Sequence, residues 1–327
     1  MIQSYPSYSI AIRTLGTAGE KFRQELESIC TQTVQPDRII VYIAEGYDRP
    51  DYTVGREEYV WVQKGMVAQR ALNYDEISSD CILMLDDDVC LAQDSAERLL
   101  DALINNGADC VGADVFINHK MPLKTKLYAF VSNLVAPHFN QKWAFIIHRN
   151  GSYSYIQHPR KAFYWSQKSD GPAAMWKKSA FLRLHFEEES WLDKMGFAYS
   201  DDLLESYKLF CNGGRLGILF NSGITHLDGQ TASSLFRKSS EHLYIRTKAS
   251  FMIWWRSCYK TGNDTLLSRF NSAFAFGFKA LWLFPIFCFA SIIKLNGHYL
   301  LSYLSGLYDG WREVHSVEFQ NSQPYVL

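Results

Sequence analysis

Short unbroken apolar runs, separated by stretches of helical period, fill the first third of the chain. This is the pattern of strands buried on both faces and joined by helices. Tyr8 to Thr14 reads as a first strand and Leu15 to Gly19 as the loop after it. Phe22, Leu26, Ile29 and Cys30 then recur at helical spacing, which predicts a helix over Glu20 to Thr31, with Pro36 marking the turn out. Arg38 to Ile43 is a second strand, so the chain opens with a βαβ unit, and the loop Ala44 to Asp48 falls where strand ends meet ligands in open α/β sheets. Tyr59 to Val62 predicts a third strand, Gly65 to Ile77 a helix carrying Arg70, and Cys81 to Leu85 a fourth strand. A helix over Asp94 to Asn105 places Ala96, Leu99, Leu100 and Leu103 on its buried side, and Asp109 to Phe116 is the next strand.

The pattern then changes. Residues 117–170 carry aromatics, basic side chains and histidines without a sustained period, which predicts long excursions in place of a further βα repeat. Order returns at Gly171 to Trp176, followed by a helix from Lys178 toward Leu184. Glu187 to Phe197 leads on to a helix over Leu203 to Leu209, with Ser200 as its expected cap and Asp201 and Asp202 in its first turn. Leu216 to Phe220 is a strand running to Gly223 and His226. Leu243 to Tyr259 is a heavily aromatic helix. Residues 273–293 approach the length of a membrane span but are interrupted by Lys279 and Pro285. Three readings fit that segment: an interfacial or re-entrant helix with Lys279 and Lys294 reaching headgroups, a buried hairpin or oligomer contact within 243–305, and a true span.

Composition narrows the class. With 327 residues, 47% apolar and 20% charged, the chain suits one large or two modest folded domains. The net charge is only -1, but residues 232–327 hold ten Lys and Arg against five Asp and Glu, so the tail is basic and the body acidic. A cationic, aromatic tail leans toward anionic membrane surfaces, although charge alone does not exclude nucleic acid. The seven cysteines form no CxxC pair, which argues against a disulfide framework or structural zinc. Met1 to Ser9 lacks the basic and apolar regions of a secretory signal, so the expected location is the cytoplasm and the Asn150 and Asn263 sequons carry no meaning.

The chemistry concentrates where the fourth strand runs into Asp86-Asp87-Asp88. Adjacent carboxylates repel one another and persist most easily beside a cation, and a hard ion such as Mg2+ or Mn2+ prefers oxygen donors. In extended geometry Asp86 and Asp88 point one way and Asp87 another. A solvated acidic turn is the plain alternative. His119, His138, His148, His158 and His185 match no short zinc-ligand spacing, which disfavours a zinc hydrolase.

The order of these signals resembles the inverting nucleotide-sugar glycosyltransferases of the large family 2 type, over about residues 8–260. Ser28-Ile29-Cys30-Thr31-Gln32-Thr33 is similar to the family's Ser-x-x-x-Gln-Thr phrase, and Gly65 to Arg70 to its Gly-x-x-x-Ala-Arg phrase with Gln69 in place of Ala. Asp86-Asp87-Asp88 resembles its Asp-x-Asp motif, and Asp201-Asp202 its later acidic pair. The resemblance implies an α/β GT-A (Rossmann-like) open mixed sheet flanked by helices, with a helical C-terminal extension. It divides the chain into a nucleotide-sugar half over 1–116, an acceptor-side half over 117–230 and a membrane-associated extension over 231–327. It implies Thr14 and Glu45 at the nucleobase, Arg70 at the base or diphosphate, Asp86 at the ribose, Asp88 with His226 and Asp86 around Mn2+ or Mg2+, and Gly171 against the sugar. Asp202 would be the base, Asp201 its neighbour, and Trp176 either a wall of the cleft or core. The implied partners are a nucleoside-diphosphate sugar, a glycan or lipid-linked glycan acceptor and the inner face of the plasma membrane, with no nucleic acid.

The chain departs from the family in three phrases, one being Asp201 where the first acid of the later pair is often Glu, which shortens its reach without changing its charge. Only Glu45 stands where two acids usually follow the second strand, and no Gln-x-x-Arg-Trp phrase of processive synthases occurs, which favours transfer of one sugar per encounter. Two other classes fit in part: a nucleotidyltransferase, although Leu15 to Gly19 lacks the arginine of its phosphate loop, and a non-catalytic membrane-associated glycan-binding protein.

Overall fold

The fully buried, branched side chains of Tyr8–Thr14 (β1), Ile39–Ala44 (β2) and Cys81–Asp86 (β4) form the centre of the sheet in the computed structural model. The structure describes residues 5–115, 142–156, 158–195, 199–227, 239–261, 265–293, 297–320 and 325; Phe116, His119, His138, Phe197, Asn263 and Lys294 lie outside them. Glu57–Val62 (β3) extends the sheet on one side. On the other side come Ala173–Lys177 (β10), Cys110–Ala113 (β6), Leu216–Leu219 (β11) and Phe163–Trp165 (β9), giving the order β3-β2-β1-β4-β10-β6-β11-β9. β3, β2, β1 and β4 are parallel, β10 runs antiparallel between β4 and β6, and β9 is an antiparallel edge. Two small ribbons complete the strands: Val89–Leu91 (β5) with Ile224–His226 (β12), and Phe145–Ile147 (β7) with Tyr153–Tyr155 (β8).

Alternation along each strand divides the core into two layers. Ile10, Ile12, Val41, Leu83 and Leu85 face Glu20–Cys30 (α1) and Ser95–Asn105 (α2), whose Phe22, Leu26, Leu99 and Leu103 pack against them. Ala11, Ile40, Tyr42, Ile82 and Met84 face the opposite way, onto Lys178–Leu182 (α3), the 3-10 segment Phe186–Met195, Asp201–Cys211 (α4) and Ser240–Trp254 (α5). This mixed sheet, flanked by helices and followed by a helical C-terminal extension, is a GT-A-like architecture. The register sets Arg13 opposite Asp86 and Thr14 opposite Ile43, so the C-terminal ends of β1, β2 and β4 lie together.

Some local expectations are corrected. Residues 65–77 form turns, not a helix. The amides of Val67 and Ala68 donate to the Asp193 carboxylate, each at 2.9 Å, and Tyr74 adopts a left-handed φ of 53° that ends helical propagation. The aperiodic 117–170 stretch contains β7, β8 and β9, each three residues long and too short to show a period.

In the extension, Ser239 caps α5 by accepting from the His242 amide at 3.0 Å, and the helix widens into a π turn over Trp255–Tyr259. Leu266–Ile293 (α6) is 28 residues long and contains Pro285. It is joined by His298–Val314 (α7) and the short Val317–Gln320 (α8). A Cβ at Gly306 of α7 would lie 2.8 Å from Thr247 Cβ and from the Tyr244 carbonyl, and one at Gly310 would lie 2.9 Å from Phe251 Cβ, so glycine lets α7 approach α5 closely. Tyr244 also donates to Asp309 at 2.9 Å.

Candidate active site

The acidic triplet does not point as a continuous strand would. β4 ends at Asp86 and the chain turns through Asp87 and Asp88, so the two-residue alternation stops there and each carboxylate meets a different partner. Asp86 pairs with Arg13 on the neighbouring strand. Asp87 accepts from Thr14 Oγ1 at 2.5 Å, and burial pushes its carboxyl up to about 6. Asp88 is buried with Oδ1 2.9 Å from His226 Nε2. These two residues, distant in sequence, meet because β12 pairs with β5 and sets His226 opposite Val89. Beneath the triplet, Glu25 of α1 is wholly buried, and burial followed by the charges of Asp87, Asp86 and Asp88 holds it well above the usual carboxylate range.

A second cluster faces this strand end. The Asp86 amide donates to the Pro172 carbonyl at 2.9 Å, which brings the Gly171 turn beside the triplet. A Cβ at Gly171 would lie 2.8 Å from Arg70 Nη2 and 3.3 Å from Asp202 Cβ, so no larger residue fits there without displacing one of them. Arg70 is buried and reaches Asp201 at 3.0 Å and Glu205 at 3.4 Å, two acids four residues apart on one face of α4. Burial alone would lower the Arg70 pKa, but Asp201 and Glu205 outweigh it and keep the guanidinium charged. Glu205 moves the other way: burial lifts it to about 7 despite Arg70 and Arg13.

Asp202 turns to Lys168. The buried Lys168 Nζ lies 2.7 Å from Asp202 Oδ2, 2.9 Å from Asp170 Oδ1 and 3.0 Å from the Ser169 carbonyl, with the Phe145 and Tyr153 rings 4.9 and 5.1 Å away. Burial works against the ammonium, and the Asp170 and Asp202 charges hold it protonated. Arg13, Arg70, Asp170, Gly171, Asp202 and Glu205 line one small crevice with Trp176 in its wall. Trp176 itself is core, edge-on to Phe181.

Of the residues singled out in the sequence, Arg70, Gly171 and Asp202 therefore line one crevice; Asp201 is tied to it through Arg70 and Asp86 through Arg13, and Asp88 pairs with His226. Thr14 is engaged with Asp87 and also accepts from the Gly16 amide at 2.7 Å. Glu45 is exposed beyond the end of β2. Arg70 is committed to Asp201 and Glu205. Ser200 precedes α4 but makes no capping bond with its side chain. Its backbone is left-handed, φ 60° and ψ 38°, whereas side-chain capping needs an extended residue. A non-glycine residue held there costs about 1–3 kcal/mol, so strain sits beside the acidic pair. Arg13, Lys168, Asp170, Glu205 and Glu25 have no assigned role in the sequence reading; the four-residue step from Asp201 to Glu205 is the one local signal among them.

Around the crevice and strand end, Asp86, Asp87, Asp88, Asp170, Asp201, Asp202 and Glu205 outnumber the permanent cations Arg13, Arg70 and Lys168. No group of three or more His, Cys, Asp or Glu side chains forms a metal cage among the described residues. Asp88 and His226, in contact at 2.9 Å, are the side chains there that could contribute an oxygen and a nitrogen donor to a divalent ion.

The chain matches no family model and no curated protein. Among solved structures, the crystal structure of GalNAc-T7 with UDP, GalNAc and Mn2+ is similar with a TM-score of 0.50 and 11% identity, over 79% of this chain and 50% of that one. The chain spans half the length of that structure. The likeness is one of fold, to a GT-A glycosyltransferase.

Proposed function

We propose that the chain is a metal-dependent glycosyltransferase of the family 2 type. It moves a sugar, with inversion, from a nucleoside-diphosphate sugar to a hydroxyl of a glycan or lipid-linked glycan at the inner face of the plasma membrane, in cell-surface polysaccharide synthesis. The observation that supports this reading is that Asp202, Gly171 and Arg13 line one crevice at the C-terminal ends of β1 and β4, with Asp86 paired to Arg13. Asp88 and His226 would hold Mn2+ or Mg2+, which supplies positive charge to the departing diphosphate. Asp86, oriented by Arg13, faces the ribose, and exposed Glu45 is the acid available to the base. Asp202 accepts the proton of the acceptor hydroxyl, with Lys168 fixing the carboxylate until the acceptor arrives. Arg70 acts as a positioning residue: it neutralises Asp201 and donates to Glu205 so that α4 can present Asp202 at its first turn.

A general base contributes about 10²–10⁴-fold. Asp202→Asn is expected to lose turnover of that order, measured as release of nucleoside diphosphate, while still binding donor in the presence of Mn2+. Unchanged turnover would remove Asp202 from the chemistry. Absence of any sugar transfer or donor hydrolysis by the wild-type chain across UDP-, GDP- and dTDP-sugars would favour the non-catalytic glycan-binding alternative.

A further inference from the structure

Among the described residues, the α6–α7 hairpin carries the most extensive exposed apolar surface. Leu266, Leu267, Phe274 and Leu281 of α6 are 87, 69, 68 and 75% exposed, and Ser272 and Phe276 are its buried residues. α7 adds Leu301, Tyr308 and Trp311. A soluble monomer rarely exposes more than a few hundred Å² of contiguous apolar surface, so this face is built for an occupant.

Two observations select lipid over a second copy of the chain. First, exposure runs around most of α6: 11% of its most apolar 18-residue window is buried, whereas a helix waiting for a protein partner needs one uncovered stripe. Second, α6 carries no acid and lies within a tail of ten Lys and Arg against five Asp and Glu, which complements an anionic surface.

The attachment of α6 limits the depth. Its first half is fastened to the body: Trp254 stacks on Phe276 at 4.2 Å, Ser272 donates to the Arg149 carbonyl at 2.9 Å, and Lys279 turns inward to the Asn150 carbonyl at 3.3 Å. That inward turn corrects the expectation that Lys279 reaches outward to headgroups; Lys294 is outside the described residues. Beyond Ala280, α6 leans on α7 through Phe287 against Tyr303 at 4.6 Å and Ser291 Oγ accepting from the Leu300 amide at 3.0 Å. The stretch from Leu281 to Ile293 is about 20 Å long at 1.5 Å per residue, short of a bilayer core of about 30 Å.

We infer that the outer face of the α6–α7 hairpin docks on an anionic lipid bilayer, entering one leaflet without crossing it. The surface is independent of the reading of the crevice, and its test measures lipid binding, not transfer. The full chain is mixed with vesicles of phosphatidylethanolamine and phosphatidylglycerol, or of phosphatidylcholine alone, and sedimented. The wild type should pellet with the anionic vesicles and less with phosphatidylcholine. Leu281→Glu combined with Phe289→Glu should lower the pelleted fraction at least tenfold with an unchanged melting temperature, because both side chains are exposed. Trp61→Glu, at an exposed position on β3, should pellet like the wild type. Wild type remaining in solution, or the double variant pelleting equally, overturns the inference. So does sedimentation velocity showing a detergent-free dimer that the double variant converts to monomer.

Discussion

Glu205 is held in a state its neighbours only partly compensate. Burial lifts its carboxyl from 4.5 to about 7, so below that pH the native protein favours the protonated form. A raised folded-state pKa contributes stability that is fully present below the unfolded value and is lost as pH rises through the folded one. The stability of the wild type relative to Glu205→Gln should therefore fall between pH 4.5 and about 7, by an amount on the order of 3 kcal/mol at 1.36 kcal/mol per pKa unit. Urea unfolding across that range checks it, and a constant difference would contradict it. At this scale the sequence makes Asp86, Asp88, Asp201, Asp202 and His226 legible, because charge at a strand or helix end is unusual wherever it occurs. The partners are not legible. Arg13 becomes the counter-ion of Asp86 only through strand register, and Lys168 finds Asp202 from a stretch with no period. The alternation rule placed Asp86 and Asp88 together, but the strand ends between them.

Elements follow periodicity where they are long enough to have it. β1, α1, β2, β4, α2 and α4 lie where the apolar spacing puts them. Residues 65–77 fail because Val67, Tyr74 and Ile77 are all buried at helix-compatible intervals, yet Tyr74 is left-handed and Asp193 anchors the turn from a distant segment. No local pattern reports a contact of that kind. The packing of α7 on α5 is similar: its tightness depends on Gly306 and Gly310, two glycines one helical turn apart, which mean little until the second helix is present. Because a Cβ at Gly306 would meet the backbone carbonyl of Tyr244 as well as Thr247, side-chain motion cannot relieve it. Gly306→Leu should lower unfolding free energy by about 1–3 kcal/mol, the usual cost of overpacking, read as a lower urea midpoint. An unchanged midpoint would mean that the two helices separate at no cost.

For the whole molecule, the parallel half-sheet and the helical tail are visible in the sequence, whereas the strand order is not. The antiparallel insertion of β10 between β4 and β6 decides the site, since it carries Gly171 and Pro172 to the end of β4, and nothing within residues 171–177 announces the direction in which they run. The assembled site holds more carboxylate than cation, and in the proposed reading Asp88 and His226, 2.9 Å apart, would take up a divalent ion. That surplus makes binding of a nucleoside diphosphate without such an ion electrostatically unfavourable, and binding with it favourable. The most direct measurement is the melting temperature of the wild type, Asp88→Ala and His226→Ala with UDP, GDP or dTDP, each with and without Mn2+. A ligand at 100 times its Kd adds about 2.7 kcal/mol to native-state stability. The account predicts that at least one nucleoside diphosphate raises the wild-type melting temperature only when Mn2+ is present, and that both substitutions abolish the rise. A rise that needs no metal, or one that Asp88→Ala retains in full, would contradict it.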